Sequence, residues 1–188
     1  MTSHWTDELV VMHACPEAIA WARDYPSLQS AWGACERGDW MLWYLGRCDV
    51  DRRRLVLAAC ACARTALPHV PAGEDRPRIA IETAERWAHG DETVTFSDVR
   101  SAASASADAA TDADAASTYA ASAAAVSAAD TAYATYAADA AYAATYAAVS
   151  AADTASATYA ARAAGFTECA RIVRTHFPRV GLPSEPPR

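Results

Sequence analysis

The chain has 188 residues and a formal net charge of −7, and all sixteen of its cations are arginines. This length suits one domain with a substantial core, while an acidic surface repels phosphates and so excludes a broad basic interface for DNA or RNA. No stretch contains about 18 strongly apolar residues in succession, so a membrane-spanning helix is not expected.

The large apolar residues are unevenly distributed along the chain. All six tryptophans precede residue 90, whereas residues 101–164 contain no Leu, Ile, Met, Phe or Trp. The sequence therefore predicts a tryptophan-containing helical core region over residues 1–100 and an alanine-rich helical segment over 101–165. A short C-terminal helix over 166–178 and a proline-rich, disordered tail over 179–188 are expected to follow.

Helix start and stop signals predict several short helices in the first 50 residues. Thr6 is expected to cap the first helix, and Pro16 fits the first turn of the second. Ser27 is expected to begin a third helix, which Gly38 would end. A fourth helix, "DWMLWYLGR", would begin after a cap at Asp39 and stop near Gly46.

The strongest core helix is predicted from "DRRRLVLAACACARTALP", which is capped by Asp51 and apolar on all sides over residues 55–63. Its three arginines, 52–54, stand in a first turn whose dipole disfavours cations, so we expect them to reach solvent or acidic neighbours. A loop rich in breakers leads to the next helix, "RPRIAIETAERWAHG", along which arginines and glutamates pair and which Gly90 ends. "DETVTF" is expected to be partly extended, and Ser97 to cap the alanine-rich segment.

The alanine-rich segment contains a repeat with a period of 23 residues, in which residues 119–140 match 142–163 at eighteen of twenty-two positions. On one straight helix the two copies would face directions about 140° apart, which does not suit a shared binding face. "SAAD" at Ser127 and Ser150 resembles a capping box, which favours helices that restart and fold back. The predicted fold is all-α, a bundle of short N-terminal helices packed with long alanine-rich helices. The alternative is one long projecting helix whose methyl groups a second subunit would cover, giving a homodimer.

The first residues, "MTSHWTDELVV", lack the basic and apolar regions of a signal peptide, so we expect a cytoplasmic protein. The six cysteines should then be reduced. They form no CxxC pair and have no close histidine cluster, so neither a zinc site nor any other metal or cofactor is expected. Cys60 and Cys62 stand two apart on one helix and should be buried on different sides of it.

Two groups of residues are candidates for chemistry or binding. One surrounds the proline-rich loop and comprises His69, Glu74, Asp75, Arg76, Arg78, Glu82 and Glu85. Glu82 and Glu85 could place two carboxylates together for acid–base catalysis, but we favour a helix surface with ion pairs, and no catalytic residue is predicted. The other is "ERGDWMLWYLGR", residues 36–47, whose Trp, Tyr and Arg are typical both of interface hot spots and of protein cores. The predicted partner-binding residues are Glu36, Arg37, Asp39, Trp40, Trp43, Tyr44, Asp75, Arg76, Arg78, Glu82 and Arg86.

Three consecutive parts of the sequence carry a family resemblance: residues 36–47, then "DRRRLVLAACACARTALPHVPAGEDRPRIAIETAERWAHGD", then an alanine-rich run. Together they are similar to the immunity proteins of the immunity-protein-five-like family. The similarity spans residues 30–165, and its specific part is residues 36–47 and 51–91. The resemblance implies a bacterial or phage protein that binds and neutralises a cognate toxin. With the negative charge and the missing catalytic motif, it favours a non-enzymatic protein that acts by occlusion. One alternative is a mobile-element protein that inhibits a host defence component or sequesters its nucleotide signal. Another is a small helical enzyme that uses the cluster at 69–85.

Overall fold

A computed structural model describes residues 4–112 and 159–181 of the chain. In these residues it contains eight α-helices, one short 3₁₀ turn (Leu67–His69) and no strand, which confirms the all-α prediction. The helices are α1 (Asp7–Val11), α2 (Pro16–Ala22), α3 (Leu28–Ala34), α4 (Gly38–Arg47), α5 (Arg52–Arg64), α6 (Arg76–Ala88), α7 (Phe96–Asp112) and α8 (Tyr159–His176). The choice between a fold-back and a rod, and the restarts at Ser127 and Ser150, concern residues 113–158 and lie outside the described residues.

Helix α5 is the centre of the core, and most of its residues between 55 and 63 are fully buried. On one side the Cys60 thiol approaches the Ile81 carbonyl of α6 at 3.9 Å, and on the other the Cys62 thiol approaches the Cys169 carbonyl of α8 at 3.8 Å. The two cysteines therefore face different neighbours, as their spacing predicts. Helix α6 also packs on α7, and α8 also packs on α4, so the bundle extends outward from α5 on both sides.

Gly38 begins α4 and does not end α3, so its predicted role as a stop signal is wrong. A Cβ atom on Gly38 would lie 2.5 Å from the Cβ of Cys169 and 2.8 Å from the Ala170 nitrogen, so the glycine allows α4 to contact the backbone of α8. Helix α3 ends earlier, at Ala34, because Cys35 adopts an extended conformation. The Arg174 guanidinium of α8 donates to the Cys35 carbonyl just past this end, where a helix dipole favours a cation.

Three predicted helix starts are confirmed, and one lacks its expected bond. Pro16 is the first residue of α2. The Ser30 amide donates to Ser27 Oγ at 3.2 Å, and the Arg53 amide donates to Asp51 Oδ1 at 2.9 Å. Thr6 precedes α1, but its hydroxyl pairs with the His4 ring at 2.8 Å and caps no amide.

Of the other expected boundaries, Gly90 follows the end of α6 as predicted, with a positive φ of 83°. The caps expected at Asp39 and Ser97 differ from the structure. Asp39 lies inside the first turn of α4 and does not cap it, whereas α4 ends at Arg47, within one residue of the expected stop at Gly46. Thr95, not Ser97, caps α7: the Thr95 amide donates to Asp98 Oδ2 at 2.7 Å, and the Asp98 amide donates back to Thr95 Oγ1 at 3.3 Å. This reciprocal pair is a capping box with aspartate in place of glutamate. The expected extended stretch is a turn in which Asp91 accepts from the backbone and hydroxyl of Thr93.

The C-terminal helix begins at Tyr159, seven residues earlier than expected, and the chain after it is fixed to α3 and α4. The Trp32 indole donates to the Phe177 carbonyl at 2.8 Å, and the Tyr44 hydroxyl donates to the Gly181 carbonyl at 2.7 Å. The Gln29 amide donates to the Pro178 carbonyl and accepts from the backbone of residue 180. Residues 179–181 of the predicted disordered tail are therefore held in place, while 182–188 lie outside the described residues.

His176, near the end of α8, predicts a pH dependence of stability. Partial burial and the nearby Arg54 cation lower its pKa, so the folded protein resists protonation more than the unfolded chain does. The free energy of unfolding should therefore fall as the pH drops through the ordinary histidine pKa of about 6.5 toward the lowered value. Urea unfolding at about pH 7.5 and about pH 5.5 should show a larger loss for the wild type than for His176→Asn. Equal losses would contradict this assignment.

Candidate functional site

A groove of about 750 Å³ lies where α2, the start of α4 and the first half of α8 meet. Its walls carry the aromatic rings of Trp21, Tyr25, Trp40 and Phe166. Its charged lining residues are Glu17, Glu36, Arg37 and Asp39. Because these side chains come from α2 and the turn after it, from the α3–α4 junction and from α8, the packing of the bundle assembles the groove.

The Arg37 guanidinium occupies the groove and makes contacts of two kinds. It donates two hydrogen bonds to the buried Asp39 carboxylate, from Nε to Oδ1 at 2.9 Å and from Nη2 to Oδ2 at 2.7 Å. Its central carbon lies 4.4 Å from the Trp40 ring centroid and 4.8 Å from the Phe166 ring centroid. The bonds to Asp39 raise the pKa of Arg37 above its ordinary value, so the cation is permanent. The bidentate pair and the two rings hold the guanidinium in one orientation.

The remaining carboxylates of the groove face solvent. The Glu17 side chain is 75% exposed and lies 3.7 Å from Arg37, which makes a loose ion pair. Glu36 is exposed and forms no ion pair with any described residue. Together with Asp39, these residues place three carboxylates against one guanidinium. The rim of the groove therefore has net negative charge.

The aromatic wall of the groove is continuous with the core. The Trp21 ring centroid lies 4.7 Å from that of Tyr25 and 5.8 Å from that of Trp40. The Trp5 indole donates to the Tyr25 carbonyl at 2.9 Å and holds the end of α2 in place. Behind this wall lies a second, apolar cavity of about 60 Å³, lined in part by Trp32. The half-buried rings of Trp21 and Trp40 therefore line the groove on one side and this cavity on the other.

Nucleophilic chemistry is disfavoured at the groove. The thiol that lines it belongs to Cys35, and burial raises the pKa of that thiol to about 11. The thiol is therefore neutral at physiological pH and a poor nucleophile.

Four of the predicted partner-binding residues line the groove: Glu36, Arg37, Asp39 and Trp40. Trp43 and Tyr44 lie on the side of the small apolar cavity, with the Arg47 guanidinium 4.6 Å from the Trp43 ring and the Tyr44 hydroxyl bonded to the C-terminal segment. Sequence reasoning missed Glu17, Trp21, Tyr25 and Phe166. The spacing of four between the first three of these was the available signal, since it places Glu17 and Trp21 on one face of α2.

The second candidate cluster is a set of ion pairs on and around α6. Arg78 contacts Asp75 and Glu82, both at 3.0 Å, while Glu85 turns away to Arg64 of α5 at 2.6 Å. The neighbouring pairs are Arg76 with Glu74 and Arg86 with Asp91. These residues line neither cavity described above, and His69 is exposed at the end of the 3₁₀ turn. The structure therefore separates Glu82 from Glu85 by giving each its own arginine.

The described residues contain neither a metal-binding cluster nor a membrane-spanning helix. Over 4–112 and 159–181, no three side chains of His, Cys, Asp or Glu are grouped to hold a metal ion. In the same residues no helix combines the length and the apolar character that crossing a bilayer requires. A comparison of the chain with family models, with curated proteins and with solved structures finds no match.

Proposed function

We propose that this protein is a non-enzymatic binding protein of the immunity type, which neutralises a cognate toxin by occluding it. The observation that carries the proposal is the groove, in which partly exposed Trp21, Trp40 and Arg37 stand beside acidic side chains. Tryptophan, tyrosine and arginine dominate the binding energy of protein interfaces. The proposal also draws on the sequence resemblance, whose specific stretch at residues 36–47 supplies Arg37, Asp39 and Trp40.

Occlusion requires a preorganised surface more than a reactive group. Arg37 is already fixed by Asp39 and by two aromatic rings, so little side-chain entropy remains to be lost on docking. The neutral Cys35 thiol and the paired carboxylates of α6 offer no activated nucleophile or base. These features support binding over catalysis as the role of the groove.

The charge of the whole chain favours a basic partner. A net charge of −7 attracts cationic proteins over a distance of about a Debye length and speeds their encounter. At the groove itself, Glu17 and Glu36 also carry negative charge, which attracts a cationic partner at short range. A basic toxin, such as one that acts on nucleic acid, fits this electrostatic pattern.

Co-expression with the products of adjacent genes, followed by pulldown and a growth assay, tests the proposal. We expect one adjacent product to be toxic alone, to co-purify with this protein and to be neutralised by it. Charge reversal at the exposed Glu36, Glu36→Arg, should weaken that complex about ten-fold or more, equivalent to about 1.4 kcal/mol. The matched control is Glu92→Arg, which reverses an exposed charge outside the groove and should leave the affinity unchanged. If no adjacent product co-purifies or is neutralised, the proposal is wrong.

The alternative of a mobile-element inhibitor uses the same groove against a host defence component. Aromatic rings such as Trp21 and Tyr25 would suit a nucleobase, but Glu17, Glu36 and Asp39 would repel the phosphates of a nucleotide signal. The groove therefore supports a protein partner over a nucleotide. A neighbourhood of phage structural genes, in place of a toxin gene, would favour this alternative.

A further inference from the structure

The groove has the chemistry to accept a second cation beside Arg37. We propose that it receives an arginine side chain from a basic segment of the partner protein, between the aromatic wall at Trp21 and the carboxylates of Glu17 and Glu36. This inference deepens the proposed function, on which it rests for the identity of the partner.

The groove already holds one guanidinium. Arg37 is bound there by a bidentate carboxylate and by two aromatic faces, which are the two contacts that a planar guanidinium makes best. The groove is therefore lined by groups of the kind that bind a guanidinium. The half-buried Trp21 ring also lines the groove, and its exposed part offers a further aromatic surface to a cation.

The charge balance of the groove favours a further cation. Asp39 is fully engaged with Arg37, and its side chain is only 7% exposed. Glu17 makes only a loose contact at 3.7 Å, and Glu36 has no ion-pair partner in the described residues. With three carboxylates and one guanidinium among its lining side chains, the groove gains by admitting another cation and loses by admitting an anion.

The geometry and size of the groove suit an arginine side chain. Glu17 and Trp21 stand four residues apart on α2, so a carboxylate and an aromatic ring share one face of that helix. A guanidinium stacked on the ring can reach such a carboxylate, whereas a lysine ammonium lacks the planar face for stacking. A volume of about 750 Å³ admits an arginine side chain together with its backbone. The occupant is therefore a segment of protein chain that carries arginine.

A pair of synthetic peptides tests this assignment on the full-length protein. The probe is acetyl-Gly-Gly-Arg-Gly-Gly-amide, and its twin carries citrulline, which keeps the planar shape and loses the charge. We expect the arginine peptide to shift the indole NMR signals of Trp21 and Trp40 in a saturable manner, with the citrulline peptide at least about ten-fold weaker. The binding should weaken as the salt concentration rises from about 50 mM to about 300 mM.

Matched variants separate the groove from the general acidity of the protein. The double variant Glu17→Gln with Glu36→Gln should weaken binding of the arginine peptide about ten-fold, because it removes the two solvent-facing carboxylates. Asp49→Asn with Glu92→Gln makes the same change in net charge at two exposed positions outside the groove and should leave the affinity unchanged. Equal weakening in the two double variants would overturn the assignment.

Three further results would also overturn it. They are equal affinity of the two peptides, no saturable shift up to about 10 mM peptide, and tighter binding of adenosine monophosphate at the same signals. The result of the peptide experiments can be distinguished from the result of the toxin experiments that test the proposed function. Peptide binding without any neutralised toxin would reject the immunity role and keep the groove assignment. A toxin neutralised equally well by the Glu17→Gln, Glu36→Gln variant would keep the role and reject the assignment.

Discussion

Gly38→Ala should lower the free energy of unfolding by about 3 kcal/mol or more, because the added methyl group has no room between α4 and α8. It would meet the Cβ of Cys169 at 2.5 Å and the Ala170 nitrogen at 2.8 Å. Two of the three closest atoms are backbone atoms of α8, so no side-chain rotation relieves the clash. One helix must move away from the other, and the contacts of α8 with the buried face of α5 would loosen as well.

Gly33→Ala is the matched control for this substitution. Gly33 lies inside α3, and a Cβ there would have no atom within 4 Å. Alanine favours a helix more than glycine does, so this variant should be more stable than the wild type by about 0.5–1 kcal/mol. Urea unfolding followed by circular dichroism measures both variants. Similar changes in the free energy of unfolding of Gly38→Ala and Gly33→Ala would contradict the close approach of α4 and α8.

The close approach at Gly38 also positions the groove. Arg37 and Asp39 flank this glycine in the sequence, and Phe166 precedes Cys169 on α8 by three residues, about one helical turn. The contact between Gly38 and Cys169 therefore brings the Phe166 ring close to Arg37, with 4.8 Å between the ring centroid and the guanidinium carbon. Gly38→Ala should accordingly disturb the groove as well as the stability of the bundle.

Much of the fold could be predicted from local patterns. The caps at Ser27 and Asp51 were predictable because a side chain that bonds a nearby amide acts within three residues of itself. The opposite orientations of Cys60 and Cys62 follow from helical geometry alone. The prediction at Gly38 was wrong because glycine has the same local signature whether it ends a helix or allows another helix to approach.

The candidate site was only half predictable, for a different physical reason. Residues 36–40 are adjacent in sequence, and their mixture of charge and tryptophan is visible there. Glu17 and Phe166 join them only through tertiary packing, across about 20 and 130 residues of chain, and no local signal specifies such contacts. Asp39 shows the same limit of local prediction. Its place before a helical pattern suggests a capping residue, but in the folded protein it is buried inside α4 and bonds to Arg37.

Phe177→Ala should be the second strongly destabilising substitution, with a loss of about 3–5 kcal/mol in the free energy of unfolding. Phe177 is only 6% exposed and belongs to the core just beyond α8. Its ring also contacts the Arg54 guanidinium at 5.0 Å, and its carbonyl accepts the hydrogen bond from the buried Trp32 indole. Truncation therefore leaves a cavity and loosens the segment that satisfies the Trp32 donor.

Phe96→Ala provides the control, because the same atoms are removed from a ring that is 45% exposed. The Phe96 ring lies in tilted contact with Trp87, with 4.8 Å between the centroids, so we expect a loss of only about 0.5–1.5 kcal/mol. Urea unfolding measures both variants, and the indole NMR signal of Trp32 should shift in Phe177→Ala alone. Equal losses in the two variants would show that the C-terminal segment does not close the core. A large loss of unfolding free energy in Phe177→Ala alone would instead show that residues 177–181 stabilise the bundle through their contacts with α3 and α4.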